Sequence, residues 1–261
     1  MEELIVTDLN AYCKDKRLLK NLHFKLPLGH CLTIIGESGS GKTLLTKLLI
    51  GQAPKGITMT GSITYRGSRL DQLSQKQFRA IRGKQIAYLV QNPMAMFNPF
   101  QRIKIHFLES LLSHEKCSKQ DCLQKAVTTM KELQLNQTEE LLEKYPFELS
   151  GGMLQRIMLA IVLCMDPQTI ILDEPTSSLD ANNRNNIIDI LKGLIQTKKT
   201  LIIVTHDYQL VKAIEGEVLV MQEGSIVERG NSQSLLRLPK NSYSKDLLLK
   251  NHFQRLVSEY D

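Results

Sequence analysis

The eight residues Gly36-Glu37-Ser38-Gly39-Ser40-Gly41-Lys42-Thr43 restrict this chain more than any other feature. They match the pattern GxxxxGK[ST], which has a physical use in one setting, between the end of a strand and the start of a helix. Both neighbours are legible. Leu32-Thr33-Ile34-Ile35 reads as a buried strand, and Leu44, Leu45, Leu48 and Leu49 recur at helical spacing until Gly51 and Pro54 stop the run. In that order the loop turns consecutive backbone N–H groups inward, and the helix N-terminus adds its partial positive charge. Such a cradle suits the phosphates of a nucleotide such as ATP. Lys42 is then placed to reach the β- and γ-phosphates as a point charge, and the Thr43 hydroxyl to hold Mg²⁺. A flexible Gly/Ser turn would need neither flanking element.

A cradle alone defines only a broad chemistry, and the second half comes from Ile170-Ile171-Leu172-Asp173-Glu174-Pro175. A buried strand ends there in two carboxylates, with Pro175 stopping it. Asp173 at the strand end suits the Mg²⁺ shell, and Glu174 suits a base that polarises the water attacking a γ-phosphate. Further short β-rich runs, Leu201-Ile202-Ile203-Val204 and Val218-Leu219-Val220-Met221, are separated by helical stretches, the mark of a parallel sheet. The first 35 residues alternate instead, as in Leu22-His23-Phe24-Lys25-Leu26, and 61–67 reads as a short antiparallel strand. From Asn92 to about Met165 the pattern turns mainly helical.

With 261 residues there is room for one large domain with an insertion, not for two nucleotide-binding units. The expected fold is α/β: a P-loop NTPase core with a mixed, mainly parallel sheet, an N-terminal antiparallel β subdomain and an inserted helical subdomain. Residues 1–91 and 165–230 form the core in this reading, 92–164 the helical insertion, and 231–261 a polar tail with one or two small helices.

Composition serves mostly to exclude. The longest apolar run, Ile157 to Met165, is far shorter than the roughly 20 residues that span a bilayer, so any membrane role is peripheral. The acidic start MEELIVTDLN is not a secretory signal, and a cytoplasmic chain is expected. Five cysteines, an odd number without a CxxC pair, are expected to be free thiols rather than a disulfide framework or zinc site. The histidines lack metal-ligand spacing. A net charge of +6 does not decide between a solvated surface, an anionic membrane and a polyanion.

Leu149-Ser150-Gly151-Gly152-Met153-Leu154-Gln155-Arg156 narrows the class, because this string resembles the signature motif of the ABC ATPases. Its shape has a physical reason. Ser150 sits where a helix N-cap is expected, and the two glycines leave the helix N-terminus open to a phosphate. The resemblance covers essentially the whole chain and implies roles for further residues. Gln91 matches the glutamine that touches Mg²⁺ and the attacking water and moves with the membrane subunits. Ser177-Ser178-Leu179-Asp180 matches the D-loop across the dimer interface, and His206 the switch histidine at the γ-phosphate. Ser150, Gly151, Gly152 and Gln155 are implied to close on the ATP held by a partner's lysine loop. Family members also stack an aromatic on adenine; Tyr12 is the candidate here, although aligning Leu19-Lys20-Asn21-Leu22 puts Cys13 in that slot.

Within the family, Gln91-Asn92-Pro93-Met94, Lys144-Tyr145-Pro146-Phe147-Glu148-Leu149 and Pro239-Lys240-Asn241-Ser242-Tyr243-Ser244 resemble the branch that drives bacterial peptide and nickel uptake. The chain ends at Asp261, without the longer cysteine-containing extension of many peptide importers, so the resemblance is drawn to the nickel-import ATPases. It implies a peripheral protein on the cytoplasmic side of a bacterial cell membrane. Its implied partners are a second, non-identical ATP-binding subunit, two transmembrane permeases and an extracellular solute-binding protein, with no nucleic acid. A peptide importer is the alternative cargo reading. A soluble ABC ATPase acting on nucleic acid or ribosomes is the alternative from another class, which the basic charge favours and the lack of long coiled-coil insertions disfavours.

Overall fold

The computed structural model describes residues 3–114, 116–177 and 179–249. The chain opens with β1 (Glu3–Cys13), β2 (Lys16–Pro27) and β3 (Cys31–Ile35), followed by α1 (Lys42–Leu49), β4 (Ile57–Tyr65), β5 (Ser68–Arg69), α2 (Gln75–Ile81) and β6 (Ile86–Leu89). Helices α3 (Ile103–His114), α4 (Lys119–Glu132), α5 (Thr138–Glu143) and α6 (Gly151–Cys164) come next. The remainder is β7 (Thr169–Asp173), α7 (Ala181–Gln196), β8 (Thr200–Val204), α8 (Tyr208–Ala213), β9 (Glu217–Gln222), β10 (Ser225–Asn231) and α9 (Ser232–Arg237), with 242–249 helical as well. Ser178 of the expected D-loop and residues 250–261 of the expected tail lie outside the described residues.

Two sheets carry the strands. One is antiparallel in the order β2-β1-β4-β5. The other runs β10-β9-β3-β8-β7-β6, parallel from β9 to β6 with β10 antiparallel at its edge. The fold is therefore α/β with a mixed, mainly parallel sheet and a separate N-terminal antiparallel one.

Burial on both faces explains why the parallel strands read as unbroken apolar runs rather than as alternating ones. Side chains still alternate between two packing environments. Leu32, Ile34, Ile171, Ile202 and Val204 pack with the antiparallel sheet and with Leu45, Leu48 and Leu49 of α1. Ile170, Leu172, Leu201 and Ile203 turn the other way, against Ile187, Ile188 and Leu191 of α7 and against the helices between β6 and β7. Helix α6 joins this second layer. Its string of apolar residues leaves little polar face, as expected for a helix packed on several sides, and Ile157, Leu159 and Ala160 are completely or almost completely buried.

Local signals set several of the helix starts. Ser74 and Gln77 form a reciprocal capping box before α2, and Ser118 and Asp121 form one before α4. One sequence expectation fails in this region. Cys117 and Cys122 are joined in a disulfide, with Cα atoms 6.5 Å apart, so the cysteines are not all free thiols; Cys13, Cys31 and Cys164 are free. An odd total and the lack of a CxxC pair do not prevent a pairing between the loop before α4 and that helix's first turn. Among the described residues no helix is long and apolar enough to cross a membrane.

Candidate nucleotide-binding site

Parallel pairing brings the chemistry to one end of the sheet. Ile34 of β3 lies opposite Val204 of β8, and Asp173 of β7 lies opposite the same Val204, so three strands end at one level. Beyond that level the ladder is extended by two bonds: Thr205 N–H donates to the Ile34 carbonyl at 3.2 Å, and Glu174 N–H donates to the Val204 carbonyl at 2.8 Å. The loop after β3, the acids at the end of β7 and the histidine after β8 therefore converge where parallel sheets characteristically bind ligands. Together they line a cleft of about 690 Å³, reached by Gly36, Glu37, Ser38, Gly39, Gly41, Lys42, Thr43, Gln91, Asp173, Glu174 and His206.

Two of the loop's glycines, Gly36 and Gly41, are fixed by space as well as by dihedral angle. Gly36 has φ 153°, and a Cβ there would stand 2.2 Å from the Met221 carbonyl oxygen of β9. Gly41 caps α1 at φ 101°, with Leu19 of β2 pressed against it. A side chain at Gly36 would collide with backbone, which does not yield. Behind the loop, Gly224 N–H in the β9–β10 turn donates to the Ser40 carbonyl at 3.0 Å. Ser40 itself is buried behind the cleft surface rather than in its lining.

Lys42 extends back through this loop. Its Nζ donates to the carbonyls of Gly36 and Glu37 at 2.7 and 2.8 Å, and it is only 8% exposed. A buried ammonium needs such partners. Burial pulls the Lys42 ammonium below the ordinary lysine range, partly opposed by the negative charges of Glu174 and Asp173. Thr43, one residue on, is exposed in the first turn of α1.

The two acids differ in setting although they are adjacent. Asp173 ends β7 and accepts a hydrogen bond from the Tyr88 hydroxyl of β6 at 2.9 Å. Burial, and then the Asp173 charge, push the Tyr88 hydroxyl above its ordinary value, so Tyr88 is a lasting donor that orients the carboxylate. Glu174 takes the left-handed backbone conformation at φ 54°, a strained state for a residue with a side chain. Several contacts hold it there. Its carbonyl accepts from Ser177 Oγ at 3.0 Å and from Ser177 N–H at 3.2 Å, while its Oε2 accepts from His206 N–H at 3.2 Å and stands 2.8 Å from His206 Nδ1. Next along, Asp207 caps α8, accepts from Thr176 Oγ1 at 2.9 Å and pairs with Arg184. The strand-end histidine is thus mounted on the carboxylate beside it.

The signature string sits elsewhere. Ser150 caps α6, its Oγ accepting from Met153 N–H at 3.3 Å, and Ser150 and Gly151 are exposed. Gly152 is buried against the side chain of Asn183, and Gln155 is 4% exposed. Asp180 caps α7 and holds Asn183 by both its N–H and its side-chain amide, at 2.9 and 2.6 Å. The segments expected to be D-loop and signature turn are therefore neighbours, but none of Ser150, Gly151, Gly152, Gln155 and Asp180 lines the cleft.

Tyr12 is also outside the lining; it lies in β1 opposite Arg17 and Thr58. The N-terminal side chain that does reach the cleft is Leu18, and Leu44, Val204, Tyr208 and Leu247 add apolar wall. Sequence reasoning missed these residues. Tyr208 was within reach of it, two positions after His206, whereas Tyr88 is placed by cross-strand pairing and Leu247 by a return of the chain from far away.

A nucleotide-binding cassette is the class of protein that this fold and cleft define, and comparison with known proteins agrees. The ABC transporter family model matches residues 19–177. The chain is 34% identical to the metal–staphylopine import system ATP-binding protein CntD of Staphylococcus aureus over 266 aligned residues, covering 98% of this chain and 96% of that protein. It is 33% identical to the oligopeptide transport ATP-binding protein OppD of Bacillus subtilis, covering 94% of this chain and 69% of that protein. Among solved structures, the ATP-binding cassette MJ0796, a dimer in a post-hydrolysis state bound to ADP and Pi, matches with a TM-score of 0.76. That match has 23% identity and covers 88% of this chain and 98% of the other, and it speaks for the fold. The chain belongs to the ABC transporter family. It is an ATP-binding subunit of that family, an ATPase whose hydrolysis is coupled to transport.

Proposed function

We propose that this chain is one of two ATPase subunits on the cytoplasmic face of a bacterial importer for metal–chelator complexes, nickel complexes among them. The observation that carries the paired arrangement is the separation of the two ATP-facing elements. The lysine loop lines the cleft, whereas the signature turn Ser150-Gly151 is exposed on another part of the same chain. An exposed Ser-capped helix start with two glycines suits a phosphate brought by a second subunit. The partner in this reading is a similar but non-identical chain.

In that assembly the amides of 38–43 and Lys42 bind the phosphates, and Glu174, held by His206, takes the proton of the attacking water. Thr43, Gln91 and Asp173 offer oxygen donors of the kind Mg²⁺ prefers, and few of them, which suits a cation that keeps water and phosphate ligands. Bound there, Mg²⁺ would neutralise charge on the β- and γ-phosphate oxygens. ATP then acts as the joint between two surfaces, and loss of the γ-phosphate contacts releases it.

The permease contact is assigned to the helical insertion. Met94, Met96, Phe100 and Phe147 are exposed large apolar side chains, all soon after Gln91 or just before the signature. Phe147 stacks on Tyr145 at 5.5 Å, and Arg102 lies over the same tyrosine. Exposed large apolar side chains concentrated in these two short stretches suit an interaction surface. The cargo reading rests on likeness to the staphylococcal metal–staphylopine ATPase, and peptides remain the second reading because of the oligopeptide relative.

Purification of the tagged chain from native membranes is expected to bring down two hydrophobic permeases and a second ATPase. Vesicles reconstituted with that complex and its binding protein should take up a nickel–chelator complex in preference to an oligopeptide. Recovery with ribosomes or nucleic acid in place of permeases would overturn the transporter reading, and preferential peptide uptake would overturn the cargo. For the base of the nucleotide, Leu18→Ala is expected to weaken ATP binding more than Tyr12→Ala, measured as Kd by titration. The reverse order would favour adenine stacking by Tyr12.

A further inference from the structure

The segment that follows α9 returns to the phosphate loop. Glu37 N–H donates to the Tyr243 hydroxyl at 3.0 Å, a bond that joins residues 206 positions apart. Four residues later, Leu247 is 6% exposed and forms part of the cleft wall. It packs with Ile35, the last residue of β3 before the loop, and with Val211 of α8. Tyr243 and Tyr208 border the same cluster, and Tyr208 stands in the cleft lining two positions after His206.

The segment is itself anchored. Both carboxylate oxygens of Glu228 in β10 accept backbone N–H groups from it, Oε1 from Lys240 at 2.8 Å and Oε2 from Asn241 at 3.1 Å. Asn241 Oδ1 in turn accepts from Tyr243 N–H at 2.9 Å. Strand β10 leaves the turn whose Gly224 N–H holds the Ser40 carbonyl. The phosphate loop is therefore held at two points, Glu37 and Ser40, and both supports lead back to β10.

We propose that Tyr243 is a positioning residue for ATP binding, its hydroxyl fixing the start of the phosphate loop at Glu37 while Leu247 closes the adjoining wall of the cleft. The proposal rests on the ATP-site reading above and adds the C-terminal segment to it. A Gly-rich loop has many conformations to lose on gathering phosphates, and a bond that holds it beforehand removes part of that cost. A support of this kind raises affinity without touching the ligand.

The test is ATP titration of the full-length chain carrying Tyr243→Phe, which keeps the ring in its cluster and removes only the hydroxyl. Kd for ATP should rise about three- to tenfold, the scale of one hydrogen bond. Glu228→Gln, which weakens the anchor, should move Kd the same way by a smaller factor. A merely structural tyrosine would lower the unliganded Tm and leave Kd unchanged, and that result overturns the proposal. Lys42→Ala in the same titration separates the two levels of inference. If it loses ATP while Tyr243→Phe binds as the parent does, the proposal fails and the ATP site stands; if both bind as the parent does, the site fails too.

Discussion

Glu174→Gln is expected to bind ATP with nearly the parent affinity and to lose turnover by roughly 10²- to 10⁴-fold, the usual share of a general base. The substitution is close to isosteric. A glutamine carbonyl can still accept from His206 N–H, where Glu174 Oε2 now accepts at 3.2 Å, so the strained turn and the mounting of His206 survive. What disappears is the capacity to take a proton from water. In the paired reading, blocked hydrolysis leaves the ATP joint between the two subunits in place, and Glu174→Gln mixed with the second ATPase subunit should elute as a larger species than the parent mixed with it when run on size exclusion with ATP and Mg²⁺. Substantial remaining turnover by the assembled complex would remove Glu174 from the role of base. A turnover-dead variant that stays the same size as the parent would count against the sandwiched arrangement instead.

The parts of this site differ in how far the sequence alone reveals them, for physical reasons. The loop at 36–43 and the pair Asp173-Glu174 are contiguous strings in which residue type follows from local need: glycine at 36 where a Cβ would meet backbone and at 41 where it would meet Leu19, acids where a buried strand emerges. Ser150 was legible as a cap, because capping is a matter of three or four neighbouring residues, and its hydroxyl does accept from Met153 N–H. The parallel strands announced themselves as apolar runs since both their faces are covered. Helix α2 carried an unread signal, the Ser74-x-x-Gln77 box, in a stretch without clear periodicity.

Other features depend on long-range placement. Tyr88 reaches Asp173 because β6 and β7 pair in register, and nothing in the run Ile86-Ala87-Tyr88-Leu89 records which strand lies beside it. Tyr243 finds Glu37 by a return of the chain across the sheet end. The Cys117–Cys122 pairing turns on the path of one short loop, which a count of cysteines does not describe. The wall residue Leu18 is not legible in sequence, because an aliphatic side chain at the hairpin carries no chemical label.

Lys42→Ala is expected to weaken ATP binding about tenfold to a hundredfold, the range for losing a hydrogen bond to a charged group. The same variant tests a second consequence of the lysine's burial. Because burial lowers its affinity for protons in the folded state, the unfolded chain binds more protons than the folded one between that lowered value and the ordinary lysine value of about 10.4. Within that window the unliganded protein should gain stability as pH rises, and Lys42→Ala should remove this component of the slope. ATP reverses the balance. Phosphates favour the charged ammonium, so affinity should fall as pH rises through the same window, and binding there should take up protons from the buffer. Calorimetric titration in two buffers of different ionisation enthalpy reads that uptake directly. Proton uptake in the parent that vanishes in Lys42→Ala places the ammonium at the phosphates; equal uptake in both would assign it to another group and leave Lys42 only as a brace for the Gly36 and Glu37 carbonyls.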